Sequence, residues 1–246
     1  MNTNTDGAGA DKGKREHQSE RTGGQGSTHS SDHADEQVRQ QMKRLLETYR
    51  TQRRQLGVEE ADGAWMRQPL RAWMDGLGGS SSGQAVLDME AVQAIGIAMR
   101  ETLSIRDALI VSMVCQQSQA KYDTIYSLCA QPHQDSSLRL TCQALDAAFT
   151  DPNAQPDRAR CRAGIEMLEH MVACLPKDYH AQPLAVMSYV YWWLGQPQSR
   201  DYAQEALRYD AHCTLASIML VASRRPVRPA WMQGGEEPTT FSGNRE

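Results

Sequence analysis

His170 and Cys174 stand four residues apart, a spacing that puts an imidazole and a thiol on one helix face, where they could share a metal ion. Structural zinc takes about four convergent ligands, and Cys161 lies too far along the same expected helix to join them. The six cysteines, Cys115, Cys129, Cys142, Cys161, Cys174 and Cys213, form no C-x-x-C pair and read as small core residues. The chain has no G-x-S-x-G, no Walker A and no G-x-G-x-x-G after a strand. The carboxylate pairs Glu59-Glu60 and Glu236-Glu237 fall in expected loops and read as solvated. No metal and no cofactor is expected, and no residue reads as catalytic.

Two other groups of residues could act by binding. Trp192 and Trp193 are adjacent, so on a helix they point about 100° apart and cannot both face one core. One is expected in the core, and the other, with Tyr189 or Tyr202, could line a groove for a peptide. Packing between neighbouring helices is the competing reading. Arg39, Lys43, Arg44, Arg50, Arg53 and Arg54 form a basic face opposite the stripe Val38, Met42, Leu45, Tyr49, Leu56. Such a helix could meet an acidic surface, a partner helix or a nucleic acid, or it packs its stripe on its own domain and shows its charge to water. Arg224, Arg225 and Arg228 read as a solvated cluster near helix-terminal carbonyls.

The elements that must hold these residues read as helices throughout. No segment alternates with period two and β-branched residues. After the helix that starts near Asp35, a second short one carries Trp65, Met66, Leu70, Trp73, Met74 and Leu77, and the Gly76–Gly83 run reads as a flexible joint. A third is expected over Asp88 to Glu101. Ser104-Ile105-Arg106-Asp107 reads as a helix start, with Ser104 as cap and Asp107 favoured by the dipole. Arg106 could then pair with an acid on another helix and fix their register, a structural ion pair rather than a catalytic one. Further helices are expected over Lys121 to Cys129, Leu138 to Phe149, Asp157 to Leu175 and His180 to Leu194, the last closed by Gly195 as a left-handed C′ residue. A helix with Tyr202, Ala206 and Leu207 and one with Leu215, Ile218 and Met219 follow. Short turns make this an all-α bundle of antiparallel helix hairpins, and residues 181–220 look like a tetratricopeptide-type hairpin.

Residues 1–36 hold no Leu, Ile, Val, Phe, Trp or Tyr and are expected to be a disordered tail. The basic helix is assigned to 37–62, the helical domain to 63–232 and a flexible tail to 233–246. No signal-peptide core and no run of about 18 apolar residues is present, so a cytoplasmic chain with no membrane partner is expected. A net charge of −4 over 246 residues does not by itself suggest nucleic acid. The leading functional expectation is a non-enzymatic helical module with an unidentified protein as partner. Nucleic-acid association through the basic helix over 37–57 comes second, and an enzyme with an unread site third.

The order of Trp65…Arg71, Ile105-Arg106-Asp107-Ala108-Leu109, Ala159-Arg160, Ala181 to Gly195, Ala203 to Asp210, Leu215-Ala216 and Arg225-Pro226…Pro229-Ala230-Trp231 resembles the C-terminal half of the actinobacterial family called "domain of unknown function 4192". The resemblance spans residues 63–232. It departs from the family at Ala211, where proline is usual, and at Cys213, where an aromatic is common, and the family's N-terminal half has no counterpart here. It implies a helical domain in bacterial cytoplasm and implies no reaction.

Overall fold

The computed structural model describes residues 26–79, 86–116, 118–225 and 227–235. The described residues hold ten α-helices and two short 3₁₀ turns joined by turns and loops, with no strand among them. The helices are α1 (Gly26–Leu56), α2 (Val58–Leu77), α3 (Met89–Glu101), α4 (Leu103–Val114), α5 (Tyr122–Ala130), α6 (Asp135–Thr150), α7 (Arg158–Cys174), α8 (Ala181–Trp193), α9 (Ser199–Tyr209) and α10 (Thr214–Arg224). None is long and apolar enough to cross a membrane. The tail expected over 1–36 lies outside the described residues up to position 25, and α1 begins at Gly26. Once a helix is nucleated, each added residue costs little, so α1 can extend into polar sequence. Ser80–Ser82 of the expected joint, and residues 236–246 of the expected C-terminal tail, lie outside the described residues.

The boundary drawn at residue 62 is corrected. Gly57 alone separates α1 from α2, with φ 85°, and a residue with a side chain would be strained there. Glu59 and Glu60 are therefore not in a loop: they occupy the first turn of α2, where the helix dipole favours acids. Pro69 sits buried inside α2 and does not end it. The α1 stripe docks on its own domain, with Met42 and Tyr49 buried against α2 and α3, while Leu56 at its end is 49% exposed.

Helix starts follow their caps. Asp88 Oδ1 accepts from the Ala91 amide at 2.7 Å, and Asp157 Oδ1 from the Arg160 amide at 3.0 Å. Each satisfies one amide of an otherwise open first turn. The Ser104 cap is corrected: α4 starts at Leu103 with Thr102 at its N-cap, and the Thr102 hydroxyl is engaged by Tyr49 instead. Gly195 ends α8 as expected, with φ 71°; its N–H donates to Trp192 O at 2.9 Å and Gln196 N–H to Tyr191 O at 2.8 Å. That pair of bonds is a Schellman closure, and it turns the chain so that α9 and then α10 pack back on α8.

One continuous core joins all ten helices, rich in Met, Leu, Ile and Ala. Trp73 is fully buried and its indole donates to Ser112 Oγ at 2.9 Å, while Ser112 donates to Leu109 O at 2.6 Å. The indole proton thus reaches an acceptor without leaving the interior.

Candidate functional site

The face formed by α1, α2 and α3 carries both the most unusual buried chemistry and a wide groove. Behind that face, Asp62 of α2 has no exposed surface. Tyr49 of α1, equally buried, donates to Asp62 Oδ1 at 2.6 Å and stands 3.1 Å from Thr102 Oγ1. Arg53, one turn on from Tyr49, brings Nε to 3.0 Å from the same Oδ1, an ion-pair contact rather than an aligned hydrogen bond. Asp62 Oδ2 has no hydrogen-bond partner among the described residues. Burial raises the Asp62 carboxyl above the ordinary carboxylate range, with the Tyr49 bond and the Arg53 charge pulling it back down. Burial, and then the hydrogen bond to Asp62, push the Tyr49 phenol well above its usual value. A fully buried thiol, Cys129, is raised by burial and by the Asp62 charge. Tyr49, Asp62 and Thr102 form one buried polar group behind the groove. They lock α1 to α2 and to the start of α4.

In front of the network lies an open groove of about 590 Å³ between α1, α2 and α3. Leu45, Trp65, Pro69 and Met89 supply its apolar lining, and Met89 is 44% exposed. Gln41, Gln52, Gln68 and Gln93 supply side-chain amides, and Glu90 is the only ionisable residue in the lining. Trp65 is held by its indole N–H on Ala94 O at 3.0 Å and by the Tyr49 ring at 4.8 Å between centroids. Gln41 donates to Gln93 Oε1 at 2.9 Å, which leaves the remaining amide groups of this pair for a bound molecule. Sequence reasoning placed Trp65 on a helix but missed the groove. Its amides come from three helices, and no motif joins them.

The residues expected to line a peptide groove are placed differently. Tyr189, Trp192 and Trp193 are 4%, 6% and 1% exposed, so they pack between neighbouring helices rather than lining a groove, and the expectation that only one of the two tryptophans lies in the core is corrected. Trp192 packs against Phe149 and Tyr189, with centroids at 4.6 and 5.6 Å, and donates to Val227 O at 2.9 Å. Both adjacent indoles are buried because α6 and the 227–231 segment close over the side of α8 that α9 and α10 leave open. Tyr202 is half-buried, stacked on Tyr191 at 5.0 Å, and donates to Glu169 at 3.1 Å.

Arg106 is buried, but its acid is the next residue in the chain. Nε and Nη2 reach Asp107 Oδ1 at 2.9 and 2.7 Å, and the contact to another helix is Nη1 to the Gln182 amide oxygen at 3.2 Å. The shift of the α4 start moves Asp107 out of the first turn and frees its carboxylate for this role.

The basic face of α1 is largely neutralised. Arg50 makes a bidentate pair with Glu101 at 2.7 and 2.9 Å, Arg53 pairs with Asp62, Arg54 with Glu47 at 2.9 Å and Arg39 with Glu36 at 3.5 Å. Lys43 and Arg44 are exposed, as are Arg224, Arg225 and Arg228 at the end of α10. His170 and Cys174 approach to 3.7 Å, and no third His, Cys, Asp or Glu joins them among the described residues. Cys142 is exposed, against the expectation of a core thiol, while Cys115, Cys129, Cys161 and Cys213 are buried. Burial pushes the Cys161 thiol up to about 12.

No family model, no curated protein and no solved structure matches this chain, so its functional reading rests on the geometry above.

Proposed function

We propose that the protein is a non-enzymatic helical binding module whose α1–α2–α3 groove takes an extended, uncharged stretch of a partner polypeptide. The observation that carries this reading is the groove lining: four side-chain amides around an apolar floor, with a single carboxylate and no cation. A primary amide both donates and accepts, so it pairs with peptide N–H and C=O groups alike. Leu45, Trp65, Pro69 and Met89 offer seats for apolar anchor side chains, which supply most of the energy in such contacts. The rigid wall behind them, tied by Tyr49 and Asp62, limits the ordering cost on binding.

The nucleic-acid reading of α1 is weaker, because four of its six basic residues already face carboxylates. The resemblance to the C-terminal half of "domain of unknown function 4192", and with it a bacterial cytoplasmic setting, is compatible with a binding module and adds no reaction to it.

Selection from a displayed library of random peptides tests the proposal. Enriched peptides are expected to share apolar anchors in uncharged flanks. Their affinity should fall at least about tenfold for Met89→Arg, whose side chain is exposed in the groove, and stay unchanged for Ile218→Arg at the far end. No enrichment, or binding indifferent to Met89→Arg, would overturn it. So would selection of strongly acidic peptides whose binding fades with salt.

A further inference from the structure

Of the sixteen residues of α6, Ser137 and Ala148 alone are buried. The helix packs on α4, α5 and the Ala230–Gly235 turn, and Ala144 shares the inward face with those two. Leu138, Cys142, Leu145 and Phe149 lie on another side. Leu138 is 48% and Phe149 42% exposed, Cys142 is exposed, and Leu145 is half-buried. Phe149 rests one side of its ring on Trp192 and leaves the rest open. The four residues follow one another at steps of 4, 3 and 4. At about 100° per residue they fall in a band about 60° wide, roughly 130° around the axis from Ala144. That is the seam spacing of a two-helix coiled coil, turned outward. Asp135 takes the next seam position at one end, and the helix stops at Thr150 at the other.

The chain itself supplies an occupant that fits this seam. Two copies of α6 can lie antiparallel across a two-fold axis midway between Cys142 and Leu145. Leu138 then faces Phe149 of the second copy, and Cys142 faces Leu145 of the second copy, so each layer sets a smaller apolar group against a larger one. The charges beside the seam choose the same pairing. Arg139 follows Leu138, and Asp146 follows Leu145, so both stand on the same flank. Both are exposed, and neither meets an opposite charge among the described residues. Within one helix they are roughly 10 Å apart along the axis. In the antiparallel pair this flank meets its own copy, which sets Arg139 beside the second copy's Asp146 and Asp146 beside its Arg139. A parallel pair would run these contacts to Gln134 and Thr141 and leave both charges unanswered.

We infer that the outward face of α6 docks a second copy of this chain, as an antiparallel two-fold seam of Leu138, Cys142, Leu145 and Phe149 flanked by two Arg139–Asp146 pairs. Four layers make a small interface, so association is reversible, with a Kd on the order of 0.1 mM. The α1–α2–α3 groove takes no part in it, and failure of either leaves the other standing.

Sedimentation equilibrium of the full chain, with its thiols kept reduced, tests this. A monomer–dimer equilibrium is expected. Leu138→Lys changes an exposed position and should weaken association at least about tenfold, with circular dichroism and melting temperature unchanged. Arg139→Asp and Asp146→Arg should each weaken it about threefold or more, since each sets like charges together twice. The double variant should restore the wild-type value. Ile218→Lys, on the exposed face of α10, should leave it unchanged. A chain that stays monomeric at about 1 mM overturns the inference, whatever else then covers the seam. A dimer indifferent to Leu138→Lys, or lost in Ile218→Lys, overturns the location. Single charge variants that the double variant does not rescue overturn the antiparallel pairing.

Discussion

Where α1 meets α2, the interior holds a carboxylate, a phenol and a hydroxyl in one network, with an arginine reaching in from the edge. Where α8 meets α6 and the 227–231 segment, the interior holds tilted, closely packed rings, and the hydrogen-bonded polar atoms are indole N–H groups on backbone carbonyls. The two regions fasten helices by different means. The first depends on partners that must all be present together, since a buried charge that loses one partner is left exposed to the low-dielectric interior. The second depends on area removed from water, which no single polar contact controls. One region is therefore sensitive to pH and to small chemical changes, and the other to loss of volume.

The largest effect is expected at Trp192. Trp192→Ala removes a buried ring that touches Phe149 and Tyr189 and should cost about 3–5 kcal/mol in urea unfolding. A loss under about 1 kcal/mol would mean that the aromatic end is loosely packed.

Tyr49→Phe keeps the ring and deletes one hydroxyl, so it probes the polar end alone. It should cost about 1–3 kcal/mol, because the Asp62 carboxylate loses the one hydrogen bond it accepts among the described residues. It should also change the pH dependence. The Asp62 carboxyl is raised in the folded protein, so the folded state holds that proton more tightly than the unfolded chain does. Its contribution to stability is full below the unfolded value and is lost as pH rises through the folded one. The phenol bond opposes the shift, so its removal raises the carboxyl further and deepens that loss. Unfolding measured from acid to neutral pH should fall more steeply in Tyr49→Phe than in wild type. A parallel pair of curves would remove Asp62 as the titrating group.

The smallest effect is expected at Arg50→Ala. Its pair with Glu101 is bidentate but nearly half of the arginine side chain is open to solvent. Such a pair contributes about 0–1 kcal/mol and fades with salt. Added salt should therefore close the gap in melting temperature between this variant and wild type.

Legibility in the sequence followed the same division. Helix existence was readable everywhere, because apolar stripes and the stops at Gly195 and before Pro176 reflect local chemistry. Caps at Asp88 and Asp157 were local too. Asp62 was not readable: beside Glu59 and Glu60 it looks like another solvated acid, and only the helix phase set by Gly57 turns it inward. That Trp192 and Trp193 would both be buried was not readable, because the elements covering them, α6 and the 227–231 segment, are distant in sequence. The amide-lined groove escaped notice for the same reason. Its glutamines lie on three helices and match no spacing rule.

The one-residue link at Gly57 has a consequence for how this chain can vary. Successive residues of a helix advance by about 100° around its axis. A single insertion or deletion between Arg53 and Gly57 would swing everything upstream by that angle. Tyr49 would then aim away from Asp62, and Arg50 away from Glu101. A longer loop could absorb such a change as slack. Here there is none, so the length of that stretch should tolerate no drift, even where the identity of its exposed residues is free to change.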